Sequence, residues 1–187
     1  MTRVGNEYDS ASNLINATKL VIGQITECEP HPDSDHLHLC KVNIGTEVLD
    51  IVCGAPNART GLKVIVALDG AVLPEKTIKK GMIRGQESNG MLCSIAELGL
   101  EHKFLKPEDS EGIAELGEDA EIGGDPIKYL QMDDGVIDFE LTANRGDLLS
   151  ILGMAYEVGA IYDKKVKDVD LKHKESCLLY TSPSPRD

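Results

Sequence analysis

Tryptophan is absent from this sequence of 187 residues, and only two phenylalanines occur. Hydrophobic residues still make up 41% of the chain, which is enough for a buried core. No apolar run approaches the roughly 18 residues that span a bilayer. The start, MTRVGNEYDS, lacks the cationic and apolar segments of a signal peptide. We therefore expect a cytoplasmic protein that does not enter a membrane.

The five cysteines are odd in number and form no CxxC pair. This pattern is typical of reduced thiols in a cytosolic protein rather than of a disulfide scaffold. Cys40, Cys53 and Cys93 lie in runs of Leu, Val and Ile, where buried, unreactive thiols are expected. The sequence also contains no GxSxG, no phosphate-cradling loop and no HExxH. It therefore predicts no catalytic site.

The net charge is −13, and it is unevenly distributed. Residues 37–106 contain nine basic and seven acidic residues, whereas residues 107–140 contain one basic and twelve acidic residues. Evenly spread negative charge would repel a polyanion. The local basic excess therefore weakens this objection to nucleic-acid binding.

Short β-rich runs bounded by turn residues follow one another from residue 19: LVIGQITEC, LHLCKVNI, VLDIVC and KVIVAL. Gly45-Thr46 lies between two of them and predicts a hairpin. Frequent turns without crossover helices favour a closed barrel or a sandwich. Glycines inside or beside the runs favour the barrel, since a small barrel needs sharp coiling and bulges; they are Gly23, Gly81, Gly85 and Gly90.

Three helices can be placed. Ser94 and Glu97 have the spacing of a capping box, and Asp125-Pro126 predicts the start of a second short helix. The third helix follows VIDFELT, which alternates like a strand, and has Asp147 as its predicted cap. Gly153 and Gly159 would let another backbone approach this helix. A lone strand and helix cannot bury their apolar faces, so we expect them to pack on a partner.

The stretch HPDSDHLHLCKVNIG carries three histidines, two aspartates and a cysteine within fifteen residues. His31, His36 and His38 could be zinc ligands, but no matching distant ligand pair is evident. Prolines beside Asp33-Ser34-Asp35 form a strong turn signal instead. We interpret the stretch as a turn that leads into a strand, and we expect no metal.

Basic residues suggest an RNA-binding surface. Four of them surround a glycine-rich turn: Lys76, Lys79, Lys80 and Arg84. Lys41, Arg59 and Lys63 would extend the patch, which could track a phosphate backbone. Aromatic platforms for base stacking are scarce, which favours contacts to phosphate and shape. From the residues alone, a solvated basic loop and an RNA-binding surface remain equally open.

Four stretches resemble, in order, the tRNA-binding OB domain shared by several synthetases and tRNA-binding cofactors: EPHPDSDHLHLCKVNIG, IVCGAPNARTGLKVIVALDGAVLP, IRGQESNGMLCS and ELGL. The later block LTANRGDLLSILGMAYEVGA resembles the beta subunit of bacterial phenylalanine–tRNA ligase. The combination of both blocks is highly specific. The resemblance covers about residues 1–168.

The resemblance implies a mainly β fold, with a five-stranded OB barrel inserted into a small split α+β domain whose N-terminal half is truncated. The implied order is a remnant of the split domain in residues 1–13, the OB domain in 14–130, and the second half of the split domain in 131–175. Residues 176–187 break with the preceding pattern. We interpret them as a non-native or disordered tail.

The family attaches phenylalanine to tRNA(Phe) with ATP and magnesium, as a heterotetramer of two alpha and two beta subunits. The resemblance thus implies tRNA(Phe) and an alpha subunit as partners, with no DNA and no membrane. It assigns catalysis or editing to no residue here, and we expect no cofactor to bind this segment. Residues that match the family's RNA-facing stretch are Arg84, Ser88, Asn89, Gly90 and Met91.

Two other functions remain open. The region could be a structural assembly module with little RNA contact, because its last strand and helix need partners. It could also be a free-standing tRNA-binding module that acts in trans. The NRGD block, Asn144 to Asp147, argues against the second of these, since such a module does not need that appendage.

Overall fold

A computed structural model describes residues 7–100, 105 and 112–167 of the chain. It divides into two compact units, Ala11–Ile137 on the one hand and Met1–Ser10 with Asp138–Asp187 on the other. The strands are β1 (Glu7–Asn13), β2 (Leu20–Pro30), β3 (His38–Asn43), β4 (Val48–Cys53), β5 (Lys63–Leu68), β6 (Gly81–Ile83), β7 (Gln86–Ser88), β8 (Gly90–Cys93) and β9 (Gly135–Glu140). The α-helices are α1 (Pro126–Tyr129) and α2 (Ile151–Tyr162), and two 3-10 helices span Ala96–Leu98 and Gly146–Leu149.

Five antiparallel strands form the main sheet, in the order β4-β3-β2-β5-β8. The four runs predicted between residues 20 and 68 are β2 to β5, and the hairpin predicted at Gly45 joins β3 to β4. The prediction of a mainly β, OB-like fold is therefore confirmed. The predicted domain boundaries remain a prediction, and residues 176–187 lie outside the described residues.

The long strand β2 bends so that its two halves pair with different neighbours. Residues Leu20 to Gln24 pair with β5, and Gln24 to Pro30 pair with β3, with a register shift between Ile25 and Glu27. Gly23 lies in this strand where its neighbours approach closely, since an added Cβ would be 2.7 Å from Val42 Cγ1. The glycine permits close packing inside the curled sheet, as the sequence predicted.

The core lies on both faces of strand β5, which pairs with β2 and β8 inside the sheet. Val64 and Val66 pack with Ile25, Val42 and Ile51 in one cluster. The alternate residues of β5 pack in a second cluster with Ile22, Cys93 and Leu98. Four consecutive β5 residues are 0% exposed, so each buried Val or Ile there contributes about 1.5–3 kcal/mol of transfer free energy. Because both faces of β5 are buried, this strand holds the neighbouring strands in place, and with them the surface loops that connect the strands.

Two predicted short helices are confirmed. The Ser94 backbone N–H donates to Glu97 Oε2 at 2.9 Å, and the Glu97 N–H donates to Ser94 Oγ at 3.3 Å, which completes the capping box. Asp125 caps α1 by accepting from the Ile127 N–H at 2.9 Å. Both caps satisfy backbone donors that the first turn of a helix leaves unpaired.

Helix α2 begins later than predicted. Ser150, not Asp147, is its cap, since Ser150 Oγ accepts from the Gly153 N–H at 3.0 Å. The Asp147 carboxylate instead binds Arg145 at 3.0 Å, and this ion pair lowers the pKa of Asp147. The N-cap prediction was wrong because Arg145 engages the carboxylate that would otherwise cap the helix.

The glycines of α2 allow other backbone atoms to approach the helix closely, as predicted. These atoms belong to neighbouring segments of the same chain. A Cβ at Gly153 would collide with the Asp147 carbonyl oxygen, and one at Gly159 would lie 2.7 Å from the Lys164 oxygen. These contacts hold the segments before and after the helix against it.

A helix with the length and apolar character needed to span a bilayer does not occur in the described part of the chain.

Strand β9 has a partner that sequence analysis missed. β1 pairs with β9 in a two-stranded sheet, and Ser10 Oγ donates to Asp138 Oδ2 at 2.8 Å. The sequence of β1, EYDSASN, is polar and shows no apolar alternation. Its pairing therefore rests on backbone and polar contacts, which carry no hydrophobic period to detect.

Candidate nucleic-acid interface

The basic turn predicted from the sequence is the β6–β7 hairpin. Ile83 pairs with Gln86, which leaves Arg84 and Gly85 as a two-residue loop. Both have positive φ, +46° and +82°. Positive φ at both positions is the requirement of a type I′ turn, whose twist matches that of the strands. The turn places the Arg84 guanidinium at the exposed tip of the hairpin.

Arg84 connects this hairpin to the histidine-rich stretch. Its Nη1 donates to the Asp33 carbonyl oxygen at 3.2 Å. That loop is closed by two further bonds, from the His31 N–H to the Leu37 oxygen at 2.8 Å and from the Asp33 N–H to His31 Nδ1 at 3.0 Å. The interpretation of the stretch as a turn leading into β3 is confirmed. Two motifs 51 residues apart therefore form one surface.

The structure gives His31 a structural role in its loop. His31 is 4% exposed, and its ring accepts from the loop backbone. In the described part of the chain, no group of three or more His, Cys, Asp or Glu side chains could hold a metal ion. A group of two would fill only half of the four tetrahedral positions of zinc.

Three of the seven predicted basic residues are paired with carboxylates. Lys41 binds Glu27 at 2.7 Å, Arg59 binds Glu115 at 2.6 Å, and Lys76 binds Glu97 at 2.8 Å. The Glu27 carboxylate raises the pKa of Lys41, and the Arg59 guanidinium lowers the pKa of Glu115. A phosphate at any of these sites would have to compete with a carboxylate already in place.

Lys63 is engaged differently. Its Nζ donates to the backbone oxygens of Glu118 and Ala120 at 2.6 and 2.8 Å. These bonds hold the acidic segment after residue 112 against β5, where Lys63 also pairs with Leu116 through a backbone bridge. We therefore assign Lys63 a structural role in attaching that segment to the barrel.

Lys79, Lys80 and Arg84 are exposed, and we call them the hairpin cations. Within residues 7–100, 105 and 112–167, no carboxylate forms an ion pair with any of them. Lys79 and Lys80 directly precede β6, and Arg84 follows it, so the three flank a strand of three residues. A strand of this length spans about 10 Å, which brings the three charges within reach of successive phosphates.

The Ser88-Asn89-Gly90 stretch joins the two edge strands of the sheet. The Ser88 hydroxyl accepts from the Val52 N–H of β4 at 3.2 Å and donates to the Gly90 oxygen at 3.0 Å. The Asn89 N–H donates to the Asp50 oxygen at 2.8 Å. Ser88 is 3% exposed, so its hydroxyl is committed to barrel closure. Asn89 and Met91 are partly exposed beside it.

Replacing Ser88 with alanine should destabilise the barrel. The Val52 N–H would lose its acceptor in a buried site, which costs about 1–3 kcal/mol. Urea denaturation measures the difference. Ser34→Ala is the matched control, since Ser34 Oγ accepts a longer, exposed bond of 3.4 Å. Equal stability of the two variants would contradict the closure role of Ser88.

The outer face of β2, β3 and β4 is acidic, which the sequence did not indicate. A groove of about 390 Å³ there is lined by Glu27, Glu29, Asp50 and Glu87, with Lys41 as its basic residue. These residues come from three strands and the hairpin and are brought together by the sheet register. The carboxylates of this face repel a phosphate backbone. The surface around the hairpin cations is therefore the better candidate interface.

Cys40, Cys53 and Cys93 are buried in the barrel, which lowers the fraction of thiolate at each of them. Burial raises the pKa of Cys93 to about 12 and also raises the pKa values of Cys40 and Cys53, because a thiolate loses its hydration. The prediction that these three thiols are buried is confirmed, and their lack of reactivity remains a prediction.

A curled five-stranded antiparallel sheet with short helices and a small hairpin defines a protein with an OB-like fold. The family model described as "Putative tRNA binding domain" matches residues 20–125. This chain therefore belongs to the tRNA-binding domain family. The matched region begins with β2 and ends at Asp125, the cap of α1.

Curated relatives confirm the resemblance found in the sequence. The phenylalanine–tRNA ligase beta subunit of Lactiplantibacillus plantarum is 52% identical over 149 residues, 79% of this chain and 18% of that protein. The same subunit of Bacillus subtilis is 48% identical over 170 residues, 89% of this chain and 21% of that protein. The chain thus spans about a fifth of the length of these relatives. Among solved structures, the C-terminal domain of Plasmodium vivax p43 matches 56% of each chain with 23% identity and a TM-score of 0.38.

Proposed function

We propose that this chain binds tRNA(Phe) through its barrel as the N-terminal part of a phenylalanine–tRNA ligase beta subunit. The observation that carries the proposal is the match of the tRNA-binding family to the strands of the barrel, on which the hairpin cations lie without a carboxylate partner among the described residues. The similarity to beta subunits of that ligase supports the identity of the tRNA. In this proposal Lys79, Lys80 and Arg84 contact phosphate, and the partly exposed Asn89 and Met91 are further candidates for RNA contact.

In this proposal the chain works within a larger cytoplasmic enzyme. Two such subunits assemble with two alpha subunits, and the complete enzyme uses ATP and magnesium. Aminoacylation and editing take place outside this segment, which binds no cofactor itself. The segment positions the tRNA, and binding energy gained away from the reacting atoms can support the chemical step elsewhere.

The salt dependence of tRNA(Phe) binding tests the proposal. Phosphate contacts release counterions, so affinity should fall steeply between about 50 and 200 mM salt. Combining Lys80→Ala with Arg84→Ala should weaken binding and reduce the salt slope by about 1–2. No detectable binding by the native chain at about 50 mM salt, where phosphate contacts are strongest, would refute tRNA binding. An unchanged slope in the double variant would refute the placement of the interface.

A structural assembly module is the second candidate, and the exposed surface of α2 and of the 3-10 helix before it supports this function. Leu149 is 81% and Ile151 is 92% exposed, and Tyr156 and Tyr162 are 55% and 69% exposed. Exposed apolar residues concentrated along one element often mark a protein interface. If the native chain binds no tRNA at low salt but joins a complex with the remainder of the ligase, this second function is the correct one.

A further inference from the structure

Cys28 and Cys40 lie directly opposite each other on β2 and β3, and the function proposed above does not use them. The Cys28 and Cys40 Cα atoms are register partners in the antiparallel pairing. Cα atoms of directly opposed residues lie about 4.5–5.5 Å apart, within the range that a disulfide requires. The Cys40 thiol donates to Cys28 Sγ, and the two sulfurs are 3.8 Å apart. A small shift of two side chains would bring them into bonding distance.

The two thiols differ in access. Cys28 is partly exposed, whereas Cys40, Cys53 and Cys93 are buried. The Cys28 thiol also lies 3.6 Å from the Ala58 oxygen, which orients it beside the 54–61 loop. A small oxidant from solvent therefore reaches Cys28 before any other described thiol, and Cys40 is already aimed at the sulfur that would be oxidised.

We propose that Cys28 and Cys40 are a redox-sensitive pair that forms a reversible disulfide when the protein meets hydrogen peroxide. The Cys28 sulfur attacks one peroxide oxygen, so an S–O bond forms, the O–O bond breaks, and the leaving hydroxide takes up a proton as water. The Cys40 sulfur then attacks Cys28. An S–S bond forms, the S–OH bond breaks, and the hydroxide leaves with the Cys40 proton as a second water.

The reaction consumes one molecule of hydrogen peroxide for each disulfide that forms. Two thiols lose two electrons and two protons, and one peroxide is reduced to two waters. A thiol reductant reverses the disulfide by exchange. Lasting disulfides are rare in the cytosol, so the pair acts as a transient sensor. The cross-link ties β2 to β3 and closes the loop that contains Asp33, whose carbonyl accepts from Arg84.

Peptide mapping of the whole chain tests the proposal. The reduced protein is treated with hydrogen peroxide, remaining thiols are alkylated, and trypsin is added. The tryptic peptide of residues 20–41 contains both cysteines, and further cleavage on the N-terminal side of Asp33 and Asp35 by an aspartate-specific protease separates them unless a disulfide joins them. We expect the Cys28–Cys40 link to exceed every other cysteine pair by about tenfold, because these two cysteines are register partners whose sulfurs lie 3.8 Å apart. Dithiothreitol should restore both alkylated thiols.

Variants separate the pair from the other thiols. Cys28→Ser and Cys40→Ser should each abolish the link, and Cys93→Ser, the matched control at a buried thiol of the same barrel, should leave it unchanged. The oxidised protein should also unfold several degrees higher than the reduced one, since the cross-link restricts the unfolded chain. A link from Cys28 to Cys53 or Cys177, or full alkylation of Cys28 and Cys40 after peroxide, would overturn the proposal.

Discussion

Loss of the three hairpin cations should weaken tRNA(Phe) binding by about 100-fold, the largest functional effect that we expect. The variant combines Lys79→Ala, Lys80→Ala and Arg84→Ala. Each phosphate contact of a surface cation contributes about 1 kcal/mol after screening, and 1.4 kcal/mol corresponds to a tenfold change in affinity. Removal of three contacts should also reduce the slope of log affinity against log salt by about 2–3. Fluorescence anisotropy with labelled tRNA over a salt series measures both quantities.

The control for this variant removes the same charge from paired cations. Lys41→Ala, Arg59→Ala and Lys76→Ala together change the net charge equally, but each residue is held by a carboxylate in the native protein. We expect less than about a fivefold loss and a slope change below about 1, since only the long-range, screened field changes. Equal losses in the two triple variants would show that net charge, not the hairpin, determines binding.

Replacing Gly90 with alanine should destabilise the protein by about 2–3 kcal/mol, since overpacking a closely packed site forces backbone movement. Gly90 begins β8 and pairs with Leu68 of β5. An added Cβ would lie 2.7 Å from the Ala67 carbonyl oxygen. That atom belongs to the backbone of a strand buried on both faces, so it cannot move without opening the β5–β8 pairing. Chemical denaturation of the full chain measures the loss.

Gly146→Ala is the matched control for the variant at Gly90. An added Cβ at Gly146 meets nothing within 4 Å. The substitution should therefore change the free energy of unfolding by no more than about 0.5 kcal/mol. A similar loss in both variants would show that glycine flexibility, rather than the contact with Ala67, explains the effect at Gly90.

The strands and caps could be predicted because their signals are local. β4 and β5 lie at the residues that the runs VLDIVC and KVIVAL indicated, since apolar runs between turn residues record which faces are buried. The capping box at Ser94 needs only two residues at a fixed spacing. The predicted cap of α2 was wrong because Asp147 has a second local partner. Asp147 binds Arg145, and Ser150 caps the helix instead.

The candidate interface was only partly predictable. The sequence located a basic patch of seven residues but could not show which of them lie beside a carboxylate. Arg59 and Glu115 are 56 residues apart, and no local pattern joins them. Likewise the commitment of Ser88 to Val52 depends on two edge strands meeting. Each of these contacts joins residues that are far apart in the sequence and close together in the folded barrel. The sequence alone therefore could not predict them.

Local composition, periodicity and motif order in the sequence were enough to predict the mainly β character, strands β2 to β5, the turn at His31 and the family. The tertiary structure decided which cations remain unpaired among the described residues, where the acidic groove lies, and that β1 supplies the partner of β9. These features depend on contacts between residues far apart in the chain. Such contacts form only when buried strands fix the sheet register, and no local pattern in the sequence records them.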